Sequence, residues 1–178
     1  GWSENDKGGI YFYNDDRILF TRDQGGNERN HLFVRELDGS EKDLTPGDKL
    51  KATFAGWRPD GSAFYVGTNE RDPKFFDLYR YDAKTYARTL VYQNDTGMNV
   101  SAISRDGKWL ALDKTNTTSD SDVYVYNVDT REMKHVTPHK DPASHSGETF
   151  DPESKRLLFT TNAGGEFAVI RSYDLASG

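Results

Sequence analysis

Three histidines, His135, His139 and His145, lie within eleven residues, with Asp141 and Glu148 close by. Imidazoles and carboxylates that converge can hold a transition metal. Here the spacings of four and six cross an outer strand, a Thr-Pro break and a loop. They read as solvated loop histidines, with no metal and no cofactor implied. His31 stands where a strand begins and reads as structural. The carboxylate pairs Asp15/Asp16, Glu70/Asp72 and Asp120/Asp122 have the residue types for acid–base work or for calcium. Catalytic carboxylates must face each other across a substrate, and sequence neighbours in turns rarely do. A calcium loop needs several oxygen ligands around a glycine, which the run Thr117-Thr118-Ser119-Asp120-Ser121-Asp122 lacks. Asp122 precedes Val123 in the register in which Asp77 precedes Leu78, so it reads as a cap on the start of that strand.

Charges of both signs, with the amide of Asn27, also gather at Arg22, Asp23, Glu28 and Arg29, and again at Glu70, Arg71 and Asp72. Arginine can clamp a peptide carboxylate through two parallel hydrogen bonds, and glutamate can receive an N-terminal amine. Arg22, Asn27, Glu28, Arg29 and Arg71 are therefore the candidate substrate-binding residues. The plainer reading is that these ions tie neighbouring elements together. Gly25-Gly26 reads as a tight turn.

The elements that carry these groups come from a repeat. A turn signature recurs at Arg58-Pro59-Asp60-Gly61 and Ser104-Arg105-Asp106-Gly107, degenerate at Asp151-Pro152-Glu153-Ser154 and eroded at Tyr13-Asn14-Asp15-Asp16. Each precedes an apolar run beginning at Ile18, Phe64, Leu110 or Leu157, spaced by 46, 46 and 47 residues. A second landmark is a strand-like segment ending at Glu36, Asp82, Asn127 or Asp174, spaced by 46, 45 and 47. Weaker strands flank these. The preceding one places Tyr11, Trp57, Ile103 and Phe150 at one position, where packing between neighbours is the simplest role. The last runs into Thr45-Pro46 and Thr137-Pro138, where proline stops the ladder. Four short strands per period near 46 residues describe a propeller blade. The fold is thus expected to be all-β, a partial β-propeller of about four blades of four antiparallel strands. It forms one domain over 1–178, with blades near 7–51, 52–98, 99–144 and 145–178. The segments Arg22–His31, Asn69–Asp77, Lys114–Asp122 and Asn162–Ala168 become loops on the rim that also holds the connections between blades. Loops on a rigid scaffold are where such folds bind ligands.

Composition narrows the function classes. The net charge is −6, with no basic stripe, which disfavours nucleic acid. There is no cysteine, so disulfides and thiol chemistry are excluded, while cytoplasm and periplasm both stay open. No apolar stretch is long enough to span a membrane as a helix, and no signal peptide is visible. The start at Gly1-Trp2 reads as a mature product or an excised piece.

The pattern resembles the N-terminal propeller of the prolyl oligopeptidase family of serine peptidases, in its acylaminoacyl-peptidase-like and dipeptidyl-peptidase-like branches. Phe20–Asn30 is similar to that family's Asp-X-Gly-Gly-Asp-Glu-Asn loop, departing at Asn27 and by the insertion of Arg29. Asn69-Glu70-Arg71-Asp72-Pro73 with Asp77-Leu78-Tyr79 resembles the next blade. The family's chemistry needs a Gly-X-Ser-X-Gly nucleophile elbow, and no serine here has glycine both two before and two after it. The resemblance implies a piece of about four blades from a ring of seven or eight, without the hydrolase domain. It implies no catalytic residue, and a role in shielding the active site and admitting peptides. Peptide substrates and the hydrolase domain would be the partners, with self-association through the terminal blades, because the fourth repeat stops after its third strand. The alternatives are a TolB-like propeller that binds a protein partner, and a lyase or glycosidase with its site in the channel. The latter would need convergent His, Asp or Glu on inner strands, which offer little beyond Glu148.

Overall fold

The computed structural model describes residues 6–12, 15–23 and 29–178. Tyr13 and Asn14 of the eroded turn, and Gly25, Gly26, Asn27 and Glu28, lie outside them. The first sheet comprises β1 (Asp6–Tyr11), β2 (Ile18–Asp23), β3 (Asn30–Arg35) and β4 (Glu41–Asp43). The second comprises β5 (Ala52–Trp57), β6 (Ala63–Asp72), β7 (Phe75–Asp82) and β8 (Arg88–Tyr92). The third comprises β9 (Asn99–Ile103), β10 (Trp109–Thr117), β11 (Asp120–Asn127) and β12 (Met133–His135). The fourth comprises β13 (His145–Phe150), β14 (Arg156–Thr161) and β15 (Val169–Asp174). Strands pair antiparallel in chain order within each sheet. No helix occurs among the described residues.

The turn residues explain this meander. Gly61 and Gly107 adopt φ of 67° and 74°, a left-handed conformation that costs glycine little. Asp60 accepts hydrogen bonds from the Ser62 amide (3.0 Å) and hydroxyl (2.7 Å), closing the turn locally. Ser154, at the glycine position of the degenerate copy, takes φ 56°. After the turn, the expected repeat register is met. Tyr11 pairs with Ile18, Trp57 with Phe64, Ile103 with Leu110 and Phe150 with Leu157.

Two features differ from the sequence pattern. Segments 69–77 and 114–122, expected as loops, continue the ladder. β6 runs to Asp72 and β7 resumes at Phe75, while β10 runs to Thr117 and β11 resumes at Asp120. Backbone groups gain partners by extending the ribbon even where no apolar face is buried, and these exposed polar residues carry no alternation to read. The second feature is a bulge in every inner strand. One extra residue, Gly8, Ala55, Ser101 or Glu148, interrupts the pairing with the second strand. Such bulges bend and twist a strand.

Contacts divide the chain between Thr96 and Gly97 into two compact units. In the first, Leu32 and Val34 of β3 share one core with Ala52, Phe64, Val66 and Tyr81 of the next sheet. Trp57 is half-buried and meets Phe12 and Phe64 edge-on, with ring centroids 4.9 and 5.2 Å apart. The Tyr81 hydroxyl donates to the Leu44 carbonyl (3.3 Å). Arg17 chelates Asp15 and donates to the Tyr86 hydroxyl (2.6 Å), which donates in turn to Glu36 (2.6 Å). Burial and then Glu36 push the Tyr86 hydroxyl up to about 12.

In the second unit, Val123 and Val125 of β11 share a core with Phe150, Leu157 and Leu175. Asp113 ties the two sheets together. Its carboxylate accepts from the Ser101 hydroxyl (2.9 Å), the Ser146 hydroxyl (3.1 Å) and the Gly147 amide (3.0 Å). Gly147 is needed for this approach, since a Cβ there would lie 2.6 Å from Ser101 Oγ and 3.0 Å from Ala111 Cβ. Gly147→Ala is expected to cost about 1–3 kcal/mol through overpacking. Gly67→Ala, whose Cβ would meet Phe76 at an ordinary 3.7 Å, is expected to be near neutral. Urea unfolding of both variants checks the contrast.

Candidate functional site

Antiparallel order sends the hairpin between second and third strands to one end of each sheet and the other two turns to the opposite end. The candidate residues of the first unit sit at the former end. Arg22 lies over Phe20 and Phe33, 4.9 and 5.1 Å from the ring centroids, and donates to Glu41 (2.9 Å). Glu41 also accepts from Arg35 (2.6 Å), and Arg35 and then Arg22 hold its carboxyl below the usual range. Arg29 donates to the Asp48 carbonyl (2.9 Å). Arg71 grips the buried Asp77 with two bonds of 2.8 and 3.0 Å. It also reaches the Asn94 carbonyl (2.8 Å) and Asp95 (3.0 Å). Asp77 in turn accepts from the Asn94 amide (2.7 Å). Arg22, Arg29 and Arg71 are thus each engaged within the unit, and Asn27 and Glu28 lie outside the described residues.

The same end of the second unit corrects the reading of the histidines. They are not solvated separately. β12 lays His135 beside Asp122 (2.7 Å), and the chain doubles back after Thr137-Pro138 to set His139 against Asp120 (2.8 Å). His145, at the start of β13, packs on His139 with ring centroids 4.7 Å apart and is only 7% exposed. Asp120 and Asp122, expected not to work together, are bridged by the Asn116 amide at 3.0 and 2.9 Å. His139 donates from Nδ1 to the Thr137 carbonyl, and this bond and Asp120 raise its pKa. Burial lowers that of His145. Burial raises that of Asp122, but Asn116 and His135 outweigh it and the net shift is downward. Among the described residues no group of three such side chains is arranged to hold a metal ion.

One signal in the sequence does anticipate part of this. His31–Asp43 in the first sheet (2.8 Å) and Asp122–His135 in the third are the same cross-strand pair with the partners exchanged. The adjoining threonines also act alike. Thr45 Oγ1 accepts from the Leu32 amide and Thr137 Oγ1 from the Val123 amide, each at 2.9 Å. Asp122 therefore secures the start of its strand, as its register with Asp77 suggests, through side-chain partners from the fourth strand and the hairpin. His139 and His145 have no counterpart in the other repeats, which is why their meeting could not be read. Glu148, the inner-strand carboxylate, is exposed and accepts from the Thr160 hydroxyl (2.9 Å).

Sheets of antiparallel strands stacked by a repeating register, without a nucleophile elbow, define a partial β-propeller. The chain belongs to the prolyl oligopeptidase N-terminal β-propeller domain family, whose description matches residues 8–177. It is 31% identical over 172 residues to dipeptidyl aminopeptidase BIII of Pseudoxanthomonas mexicana, covering 95% of this chain and 25% of that protein. The chain thus spans about a quarter of that curated relative. Among solved structures, a prolyl endopeptidase superposes with a TM-score of 0.70 at 21% identity, covering 99% of this chain and 28% of that one. TolB from Acinetobacter baumannii superposes with 0.61 at 22%, covering 91% and 40%. At these identities the two structures speak for the fold.

Two outcomes follow from this geometry. Arg71→Ala is expected to lower the melting temperature by leaving the buried Asp77 without its counter-charge. Replacing Asp77 by Asn in that variant should recover part of the loss, as calorimetry would show. For Asp122 the folded pKa is depressed, so its stabilisation is present above 3.8 and lost as pH falls through the lower folded value. Asp122→Asn should therefore lower stability at neutral pH and flatten the acid limb of a chemical-denaturation series.

Proposed function

We propose that this chain is the non-catalytic propeller portion of a prolyl-oligopeptidase-type serine peptidase, shielding the active site and admitting peptide substrates. The observation that carries the reading is its 31% identity, along nearly the whole chain, to a dipeptidyl aminopeptidase of which it spans a quarter. Peptides are the substrates and the hydrolase domain is the main partner. Arg22, Arg29 and Arg71 contribute substrate contacts from the end of the sheets that carries the second-to-third-strand hairpins, and Asn27 and Glu28, outside the described residues, are proposed with them. Arg71 enters such a contact already matched by Asp77 and Asp95, so a peptide carboxylate must share it. Arg22 enters it engaged with Glu41, and Arg29 with the Asp48 carbonyl.

Self-association through the terminal sheets belongs to the same reading. Val169 and Ile170 on the outermost strand of the fourth sheet, and the adjoining Phe167, are exposed by 48, 71 and 77%. Among the described residues no strand pairs with the outer edge of this one, and such edges favour pairing with another chain. The likeness to TolB favours a second reading, a propeller that binds a protein partner without hydrolase activity.

Titration of ¹⁵N-labelled protein with short peptides bearing a free N-terminus tests the first reading. Shifts should cluster at residues 22–31 and 69–77 and weaken in Arg22→Ala. Absence of any shift at millimolar peptide would count against substrate contact and favour the TolB-like reading. Light scattering after size exclusion should show a species of twice 20.2 kDa at high concentration. A strictly monomeric species would remove self-association.

A further inference from the structure

We propose that the junction between the third and fourth sheets is a latch that opens on acidification, with His145 as the group that takes up the proton. His145 is 7% exposed, and neither of its ring nitrogens meets a protein hydrogen-bond partner. Its backbone is the joint itself. The His145 amide donates to Ser121 Oγ (2.7 Å), and that hydroxyl donates to the His145 carbonyl (2.6 Å). One step away, the Ser121 amide donates to the Ala143 carbonyl (3.0 Å), and the Ala143 amide to Asp120 (3.2 Å). These bonds hold β13 and the segment before it against β11.

The neighbouring charges decide what a proton would do there. The Thr137 carbonyl can only accept, so His139 Nδ1 carries a hydrogen; Nε2 faces the Asp120 carboxylate at 2.8 Å and carries another. His139 is therefore held as a cation. A proton on His145 would set a second imidazolium 4.7 Å from the first, centroid to centroid. The carboxylates that could offset it are committed. Asp120 accepts from His139, Asn116 and the Ala143 amide, and Asp122 from His135 and Asn116. From β10, Asp113 is engaged by Ser101, Ser146 and Gly147. β14 offers the uncharged Thr161 opposite His145, and Glu148 of β13 is held by Thr160. Lys140 and Asp141 of the preceding segment are exposed. Opening the joint hydrates His145 and separates it from His139, so the charged ring favours the open form.

The direction with pH follows from linkage. Burial and then His139 lower the pKa of His145 below 6.5, so the closed junction binds fewer protons than the open one. Its contribution is complete above pH 6.5 and is lost as pH falls through the lower closed-state value. His139, raised above 6.5, acts in the opposite sense and stays charged throughout this range. Asp120 and Asp122, both lowered from 3.8, are not protonated until lower pH still. The loss of protection below pH 6.5 is therefore assigned to His145, the group whose closed form disfavours the proton.

Amide hydrogen exchange of the whole chain, corrected for intrinsic rates, tests this. Protection at Ser121, Ala143 and His145 should fall about tenfold for each pH unit by which the closed-state pKa is lowered, while the hydrogen-bonded amides of Leu32 and Asn94 in the other unit keep theirs. His145→Leu should abolish the fall. Unchanged protection in the unmodified protein, or an equal fall in His145→Leu, would overturn the latch. Should that variant not fold, the ring titration of His145 by NMR decides in the unmodified protein. A midpoint below 6.5 that coincides with the opening supports the latch, and a midpoint at or above 6.5 overturns it.

Discussion

Each sheet has apolar residues on both faces, and this constraint shapes the rest of the molecule. Alternate residues of a strand point to opposite faces, so Phe64, Val66 and Tyr81 belong to one side of the second sheet and Tyr65 and Leu78 to the other. All five are at most 3% exposed. A sheet of this kind cannot stand alone and is stable only when neighbours cover it. Within each unit the third strand of one sheet shares a core with the following sheet, Leu32 and Val34 in the first unit and Val123 and Val125 in the second. The repeat period is the length of chain needed to make one such layer and arrive at the next.

With much of the faces committed to packing, the candidate residues lie at the ends of the sheets. At the end with the hairpins between second and third strands, much of the charge is spent on fastening strands. Asp77 with Arg71, His31 with Asp43, and Asp122 with His135 are variants of one fastening. Arg22, Arg29 and Arg71, proposed above as peptide contacts, already have structural partners. On that proposal, binding and stability are coupled at Arg71 in a way they are not at an arginine standing in solvent. The cluster in the second unit carries this further, because it adds His139 and His145, whose pKa values the packing shifts in opposite directions.

The fold was legible because its signals are local and repeated. Asp-Gly turns need glycine for positive φ, and Gly61 and Gly107 have it. The apolar runs must fill both faces, and their spacing fixes the register found at Trp57–Phe64 and Phe150–Leu157. The bulges at Ala55, Ser101 and Glu148 were not legible, because the residues there are unlike and exposed and no side-chain pattern marks them. The ribbon extensions past Thr68 and Asp113 escaped for a related reason, since a ladder of exposed polar residues has no alternation. At the candidate site, the register of Asp122 with Asp77 was visible. The approach of His139 to His145 depends on how one segment turns after Pro138, and a single sequence does not encode that as a spacing.

On the reading proposed above, the chain is the propeller portion of a serine peptidase and carries no catalytic serine of its own. Exposure to a fluorophosphonate serine probe, followed by intact-mass measurement, addresses it most directly. No adduct is expected at any serine, whatever the probe concentration or time. Stoichiometric labelling of one serine, abolished by unfolding the protein, would contradict it.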